Sequence, residues 1–176
     1  MKKLWLALWV CAALLPRAAA LSAAAAVTMD ADTGETLFAE NADSRLPMAS
    51  TTKIMTALVA LGEGDLDRVY TVKKQYAAVE GSSMYLEEGE RLTLRDTLYG
   101  LLLSSGNDAA AAVAGECGGE RAFVDKMNAK ARELGLTDTR FENPSGLPSD
   151  GHYTTARELA KITAAALRDP VFRDIV

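Results

Sequence analysis

Hydrophobic positions along the chain change their spacing, and the changes divide it into pieces. From Ala25 to Asp30 and from Glu35 to Glu40 they partly alternate. That predicts two short antiparallel strands joined at Ala31-Asp32-Thr33-Gly34, where Asp and Gly supply hairpin-turn chemistry. Asn41 to Pro47 is polar and broken by proline, which makes it a loop. From Ser50 to Leu61 apolar residues occupy nearly every face beyond the first turn, the pattern of a helix buried on all sides, with its end near Gly62 and Gly64. Arg68 to Val72 predicts another short strand. Gly81 to Gly89 predicts a connection with little regular structure, in which Ser82 and Ser83 read as turn residues.

Helical spacing returns at Thr93. Thr93 and Asp96 have the spacing of a capping box, and Leu94, Leu98, Leu101 and Leu102 recur at helical intervals up to Leu103. A polar turn, Ser104-Ser105-Gly106-Asn107-Asp108, separates this helix from a second all-apolar stretch, Ala109 to Ala114, that ends at Gly118-Gly119. The plain reading makes Asn107 the N-cap of the second helix. Val124, Met127, Ala131 and Leu134 form an apolar stripe opposed by Arg121, Asp125, Lys126 and Arg132, so residues 120 to 134 predict an amphipathic helix stopped by Gly135. Thr137 to Phe141 is a short extended piece before the Asn143-Pro144 turn. Thr155 and Glu158 form a capping box for a helix running to Arg168, and Pro170 is placed to begin another. His152 lies in a loop and reads as structural, because no carboxylate stands near it at a recognisable spacing.

The first residues follow a different logic. Lys2 and Lys3 precede an apolar run from Leu4 to Leu15, and Ala18-Ala19-Ala20 offers the small residues that signal peptidase needs, so residues 1–20 read as a signal peptide. Ala23 to Ala26 is a second possible cleavage region, and an uncleaved anchor is the alternative, although the run is short for a membrane span. The protein is therefore expected outside the cytoplasmic membrane, in the cell envelope. The formal charge of −5 becomes more negative without Lys2, Lys3 and Arg17, and no basic patch is visible, which sets nucleic-acid binding aside. Of the two cysteines, Cys11 lies in the leader, and Cys117 reads as a small buried hydrophobe. One cysteine and the one histidine cannot build a zinc site, so no metal or redox role is expected.

The exception within the first buried helix is a lysine. Ser50 and Lys53 are three residues apart, which puts them about 5–6 Å apart on one helix face, with the serine where backbone N–H groups are free. Burial disfavours the charge of an amine, so the pair is a nucleophile beside a potential base. The alternative is a capping serine with a lysine that snorkels to water. A second polar island, Ser105-Gly106-Asn107, lies between two apolar helices, where its hydroxyl and amide need partners or a cavity.

Ser-x-x-Lys at a buried helix start, followed about fifty residues later by Ser-x-Asn between helices, resembles the active-site set of penicillin-binding proteins and serine β-lactamases. Met29-Asp30-Ala31-Asp32-Thr33-Gly34-Glu35, Pro47 to Leu58, Ser104 to Ala110, Phe141 to Leu147 and Gly151 to Ala160 together resemble the low-molecular-mass D-alanyl-D-alanine carboxypeptidases, the S11 serine peptidases, over nearly all of residues 26 to 169. The resemblance implies an α/β (α+β) transpeptidase fold of the β-lactamase/DD-peptidase type, an antiparallel sheet with an all-helical subdomain. Residues 21–176 would be the N-terminal portion of that catalytic domain. The family's third motif, Lys-Thr-Gly, is not found among the 176 residues, and its place falls beyond Val176, as would the C-terminal domain and membrane anchor.

In roles, the resemblance implies Ser50 as nucleophile, Lys53 as general base, Ser105 as proton relay and Asn107 as a donor to the substrate amide. The Ser50 backbone N–H would form half of an oxyanion hole, at about 3 kcal/mol per donor. The implied substrate is the D-Ala-D-Ala end of peptidoglycan pentapeptides, β-lactams are implied covalent inhibitors, and neither cofactor nor metal is implied. Two alternatives stay open: a non-catalytic relative that keeps the fold as a binding or scaffold protein, and a class A β-lactamase. The latter needs a Glu-x-x-x-Asn element, whereas Glu142 and Asn143 are adjacent.

Overall fold

The computed structural model describes residues 22–176, and the segment read as a signal peptide, residues 1–20, lies outside them. Strands β1 (Ala26–Met29) and β2 (Thr36–Glu40) pair antiparallel with Val27 opposite Ala39 and Thr28 opposite Phe38, and a register shift between Thr28 and Met29 bends the ribbon. The hairpin turn is closed by Asp30, whose carboxylate accepts from the backbone N–H groups of Asp32 and Thr33 and from the Thr33 hydroxyl. A 3₁₀ turn, Ala49–Thr51, then leads into helix α1 (Thr52–Leu61), which stops at Gly62.

The rest of the described chain is mainly helical. Strand β3 (Val69–Thr71) is followed by one helical turn, α2 (Lys74–Ala77), then β4 (Arg91–Thr93), which pairs antiparallel with β3. Neither α2 nor β4 carries enough periodicity to be read from sequence. Helices α3 (Leu94–Leu103), α4 (Asn107–Glu116), α5 (Glu120–Glu133), α6 (Ala156–Ala166) and α7 (Pro170–Ile175) complete the order. The predicted antiparallel sheet is thus present as two separate two-stranded ribbons among the described residues.

Helix α1 is apolar all round because it is surrounded: it packs against α3, α4, α5, α6 and α7. Met55, Ala57 and Ala60 join Leu98, Leu101, Ala109, Val113, Phe123, Met127 and Ile162 in one core. At roughly 25 cal/mol per Å² of apolar surface removed from water, that central position makes α1 the element on which the other helices converge. A smaller cluster, Tyr70, Val72, Tyr76, Leu86 and Ala112, binds the second ribbon to α4. There Gly115 is required, since a Cβ would run into the Tyr76 ring.

The caps hold in part. Thr93 and Asp96 form a complete capping box at α3. At α6 only half of the expected box forms: the Thr155 hydroxyl accepts from the Glu158 N–H, but the Glu158 carboxylate turns away to the backbone N–H groups of Thr137 and Asp138 and to the Thr139 hydroxyl. Tertiary donors have outcompeted the local one, and Glu158 thereby ties α6 to the loop that follows α5. Arg140–Tyr153 and Leu46–Thr154 bridges then stitch the 137–154 segment together and fasten it to the loop between β2 and the 3₁₀ turn.

Candidate active site

The site is assembled where the start of α1, the turn between α3 and α4, and the loop 142–152 meet. Lys53 is 2% exposed, yet its Nζ has three oxygen partners: Ser50 Oγ at 3.2 Å, Asn107 Oδ1 at 2.8 Å and the Ser145 carbonyl at 2.9 Å. Asn107 and Ser145 present carbonyl oxygens there, which only accept, so two N–H bonds of the amine are committed to them. The third position faces Ser50. In the ammonium it is a proton; in the free amine it is the lone pair. Burial pushes Lys53 down to about 8, against the opposing pull of the Asp108 carboxylate. Just above neutrality the free amine is therefore a substantial minority of Lys53, rising to half near pH 8, with its lone pair directed at a hydroxyl.

Ser50 itself is exposed, in the 3₁₀ turn ahead of α1. It makes no cap, and neither does Thr51 as N-cap of α1, which removes the capping alternative. Ala49, just before it, has φ +46°, a left-handed conformation that costs a non-glycine residue roughly 1–2 kcal/mol. Gly146 lies against the Ala49 carbonyl at φ +90°, where a Cβ would overlap that carbonyl.

The second island closes the other side. Asn107 is the first residue of α4 rather than its N-cap, which is Gly106. Its side chain is turned away from the helix end because Nδ2 donates to the Glu80 carbonyl at 2.6 Å while Oδ1 takes the lysine. Its backbone N–H donates to the Ser82 carbonyl at 2.7 Å. Asp108, 1% exposed, accepts from the Ser83 hydroxyl at 2.6 Å and from the N–H groups of Met84, Leu86 and Ala109. Burial raises its pKa, but the Ser83 hydroxyl and those amides outweigh it and hold the carboxyl below its ordinary value. The 80–86 loop is thus pinned onto Asn107-Asp108, and Ser83 has a partner beyond the turn role expected of it. Ser105 has φ +54°, and its Oγ is a buried polar atom with no hydrogen-bond partner. Such an atom costs on the order of 1–3 kcal/mol unless a ligand completes it.

Of the four residues expected at the site, Ser50, Lys53 and Asn107 form one hydrogen-bonded set, and Ser105 adjoins it through Gly106 with its hydroxyl unengaged. Sequence reasoning did not single out Asp108, Thr52, Thr56, Asn143 or Ser145. Thr56 Oγ1 donates to the Pro144 carbonyl at 2.6 Å. Asn143 Oδ1 collects the N–H groups of Ser145, Gly146 and Leu147 and so shapes the loop. Ser145 acts through its backbone carbonyl, which leaves no trace in residue type. Thr52 and Thr56, one turn apart beside a buried lysine, were the available signal. Among the described residues no three His, Cys, Asp or Glu side chains gather as a metal would need.

Known proteins resemble this chain over most of its length. The family model described as D-alanyl-D-alanine carboxypeptidase matches residues 12–175. The chain is 43% identical over 153 residues to D-alanyl-D-alanine carboxypeptidase DacF of Bacillus subtilis, covering 83% of this chain and 39% of that protein. It is 38% identical over 169 residues to a D-alanyl-D-alanine carboxypeptidase of Streptomyces sp. strain K15, covering 89% and 58%. Among solved structures, a D-alanyl-D-alanine carboxypeptidase of Mycobacterium tuberculosis superposes with a TM-score of 0.83 at 39% identity, covering 86% of this chain and 58% of that one. The Streptomyces K15 DD-transpeptidase gives 0.82 at 39%, covering 85% and 62%. The chain thus spans about half the length of the curated relatives it matches.

Proposed function

The chain belongs to the D-alanyl-D-alanine carboxypeptidase family, the S11 serine peptidases, and on that premise we propose that it carries the acylating machinery of a serine D-Ala-D-Ala carboxypeptidase acting on peptidoglycan stem peptides. The observation that carries this reading is the buried Lys53 amine, committed by two carbonyl oxygens and aimed by its third position at Ser50 Oγ, 3.2 Å away.

In the proposed reaction Ser50 Oγ attacks the carbonyl carbon of the penultimate D-Ala and passes its proton to the neutral Lys53. The tetrahedral oxyanion faces the Ser50 backbone N–H. The bond to the terminal D-Ala nitrogen breaks, and that nitrogen leaves with a proton delivered through Ser105. The unpaired Ser105 hydroxyl supports that role, since it has bonding capacity reserved for something the protein does not supply. Asn107 supports the donor role: one Nδ2 proton is engaged by Glu80, and the second is available to a substrate carbonyl. Water then hydrolyses the Ser50 ester and releases the shortened peptide. A β-lactam presents an amide in the same place, so penicillin acylates Ser50. Such a substrate puts the protein at the cell wall, outside the cytoplasmic membrane.

The test is an intact mass measured after incubation with benzylpenicillin, with Ser50→Ala as control. The expected result is one persistent penicillin per chain, absent in the variant. Rapid antibiotic turnover without accumulation indicates a β-lactamase instead. No adduct at all makes the chain a non-catalytic relative.

A further inference from the structure

His152 is the protein's one histidine, 4% exposed, and it lies between the loop and the nucleophile helix. Its two nitrogens have unlike partners. Nδ1 lies 3.0 Å from the backbone N–H of Glu142, which can only donate, so Nδ1 must accept. The ring is therefore neutral and carries its proton on Nε2. Nε2 is 2.7 Å from Thr52 Oγ1, so Nε2–H donates to that hydroxyl. The hydroxyl's own proton is then free for the Ala49 carbonyl, 2.7 Å away. Each donor in the chain has one acceptor, and the direction of the whole series is set by a backbone amide. It ends on the residue whose left-handed conformation presents Ser50.

We propose that His152 is a positioning residue for Ser50: through Thr52 it clamps the Ala49 carbonyl and holds the turn that carries the nucleophile. The clamp adds a side-chain donor alongside the Thr52 backbone N–H, which also bonds the Ala49 carbonyl in the 3₁₀ turn, and so helps to offset the conformational cost of Ala49. The Phe141 ring, edge-on at 5.8 Å, fixes the plane of the imidazole. The charged group that acts on His152 is Glu142 on the loop side, itself paired with Arg140 at 3.3 Å. Burial holds the imidazole below its usual value despite Glu142. Protonation at Nδ1 would set two N–H groups against each other and release the clamp at the loop end.

That Ser50 is the nucleophile rests on the function proposed above; the clamp does not, and two readouts separate them. The first is the nitrogen-15 spectrum of the single histidine and the backbone resonances of the full chain. Expected are the Nε2–H tautomer with titration below the ordinary histidine range, and displaced Ala49 carbonyl and Ser50 amide resonances in Thr52→Val but not in Thr52→Ser. An Nδ1–H tautomer, or Ala49 and Ser50 resonances unmoved in Thr52→Val, overturns the proposal whether or not the chain reacts with penicillin.

The second readout is the second-order rate of Ser50 acylation by a fluorescent penicillin. His152→Ala and Thr52→Val are expected to lose about 10- to 100-fold, the effect of a misplaced reacting group. His152→Gln, which keeps an acceptor and a donor, and Thr52→Ser should recover most of the rate. Should His152→Ala fail to fold, His152→Gln and the Thr52 pair decide the matter. Equal loss in the rescuing and disrupting variants refutes positioning. A wild-type chain that takes no penicillin refutes the function proposed above, and the clamp then stands or falls on the tautomer and the Ala49 and Ser50 resonances.

Discussion

Two turns face each other across the site, and each contains a non-glycine residue in the left-handed region: Ala49 at φ +46° and Ser105 at φ +54°. They treat that strain in opposite ways. Around Ala49 the polar groups are closed on one another, His152 to Thr52 to the Ala49 carbonyl, with Gly146 pressed against the same carbonyl. Around Ser105 the neighbours are tightly bound, Asn107 to Lys53 and Glu80, Asp108 to the Ser83 hydroxyl and the Met84 and Leu86 amides, yet the serine hydroxyl has no partner. One turn uses its hydrogen bonds to hold geometry, and the other keeps one in reserve. The contrast follows from what each must do: a nucleophile needs a fixed approach, while a proton relay needs an empty coordination position that substrate fills.

The comparison is broken most severely at Gly146. Gly146→Ala must place a methyl group on the Ala49 carbonyl at φ +90°. About 3 kcal/mol or more of stability should be lost, read as a lower midpoint in urea, together with penicillin acylation. Retention of wild-type stability and rate would mean that the Ala49 turn yields easily and is not the fixed side of the site.

Ser105→Ala probes the opposite turn and should separate function from stability. Acylation is expected to fall by about 100-fold or more, the scale of losing a positioned proton donor. Thermal stability should stay level or rise slightly, because a buried hydroxyl without a partner is removed. A drop in stability with an unchanged rate would make Ser105 a structural residue.

A finer test is pH. The reactive form of Lys53 is the free amine, and its pKa is about 8. Below that value the neutral fraction, and with it the acylation rate, should fall about tenfold per pH unit, and above it the rate should level off. A rate flat between about pH 6 and 9 would remove Lys53 from the proton transfer. The sign for stability is separate: the unfolded lysine, at 10.5, holds its proton between about pH 8 and 10.5 where the folded one has lost it. The folded state therefore loses stability from this group as pH falls through that window and regains it as pH rises.

The amino-acid sequence determined the elements and the chemistry that local rules and residue types can encode. The hairpin, the buried helix with Ser50 and Lys53 one turn apart, the capping box at Thr93 and the turn carrying Ser105 and Asn107 were all legible. Each is written in spacing or in a polar residue where packing demands an apolar one. The tertiary structure decided the rest, because it depends on groups that meet only after folding. Glu158 abandoned its own cap for donors about twenty residues away. Asn107 became a ligand of Lys53 rather than a cap, because its amide is engaged by the Glu80 carbonyl and the lysine. The Ser145 carbonyl that helps aim the base is common to every residue type and cannot be read from sequence at all. The role of His152 likewise came from a backbone N–H and from a hydroxyl one hundred positions earlier in the chain, neither of which leaves a periodic or compositional trace.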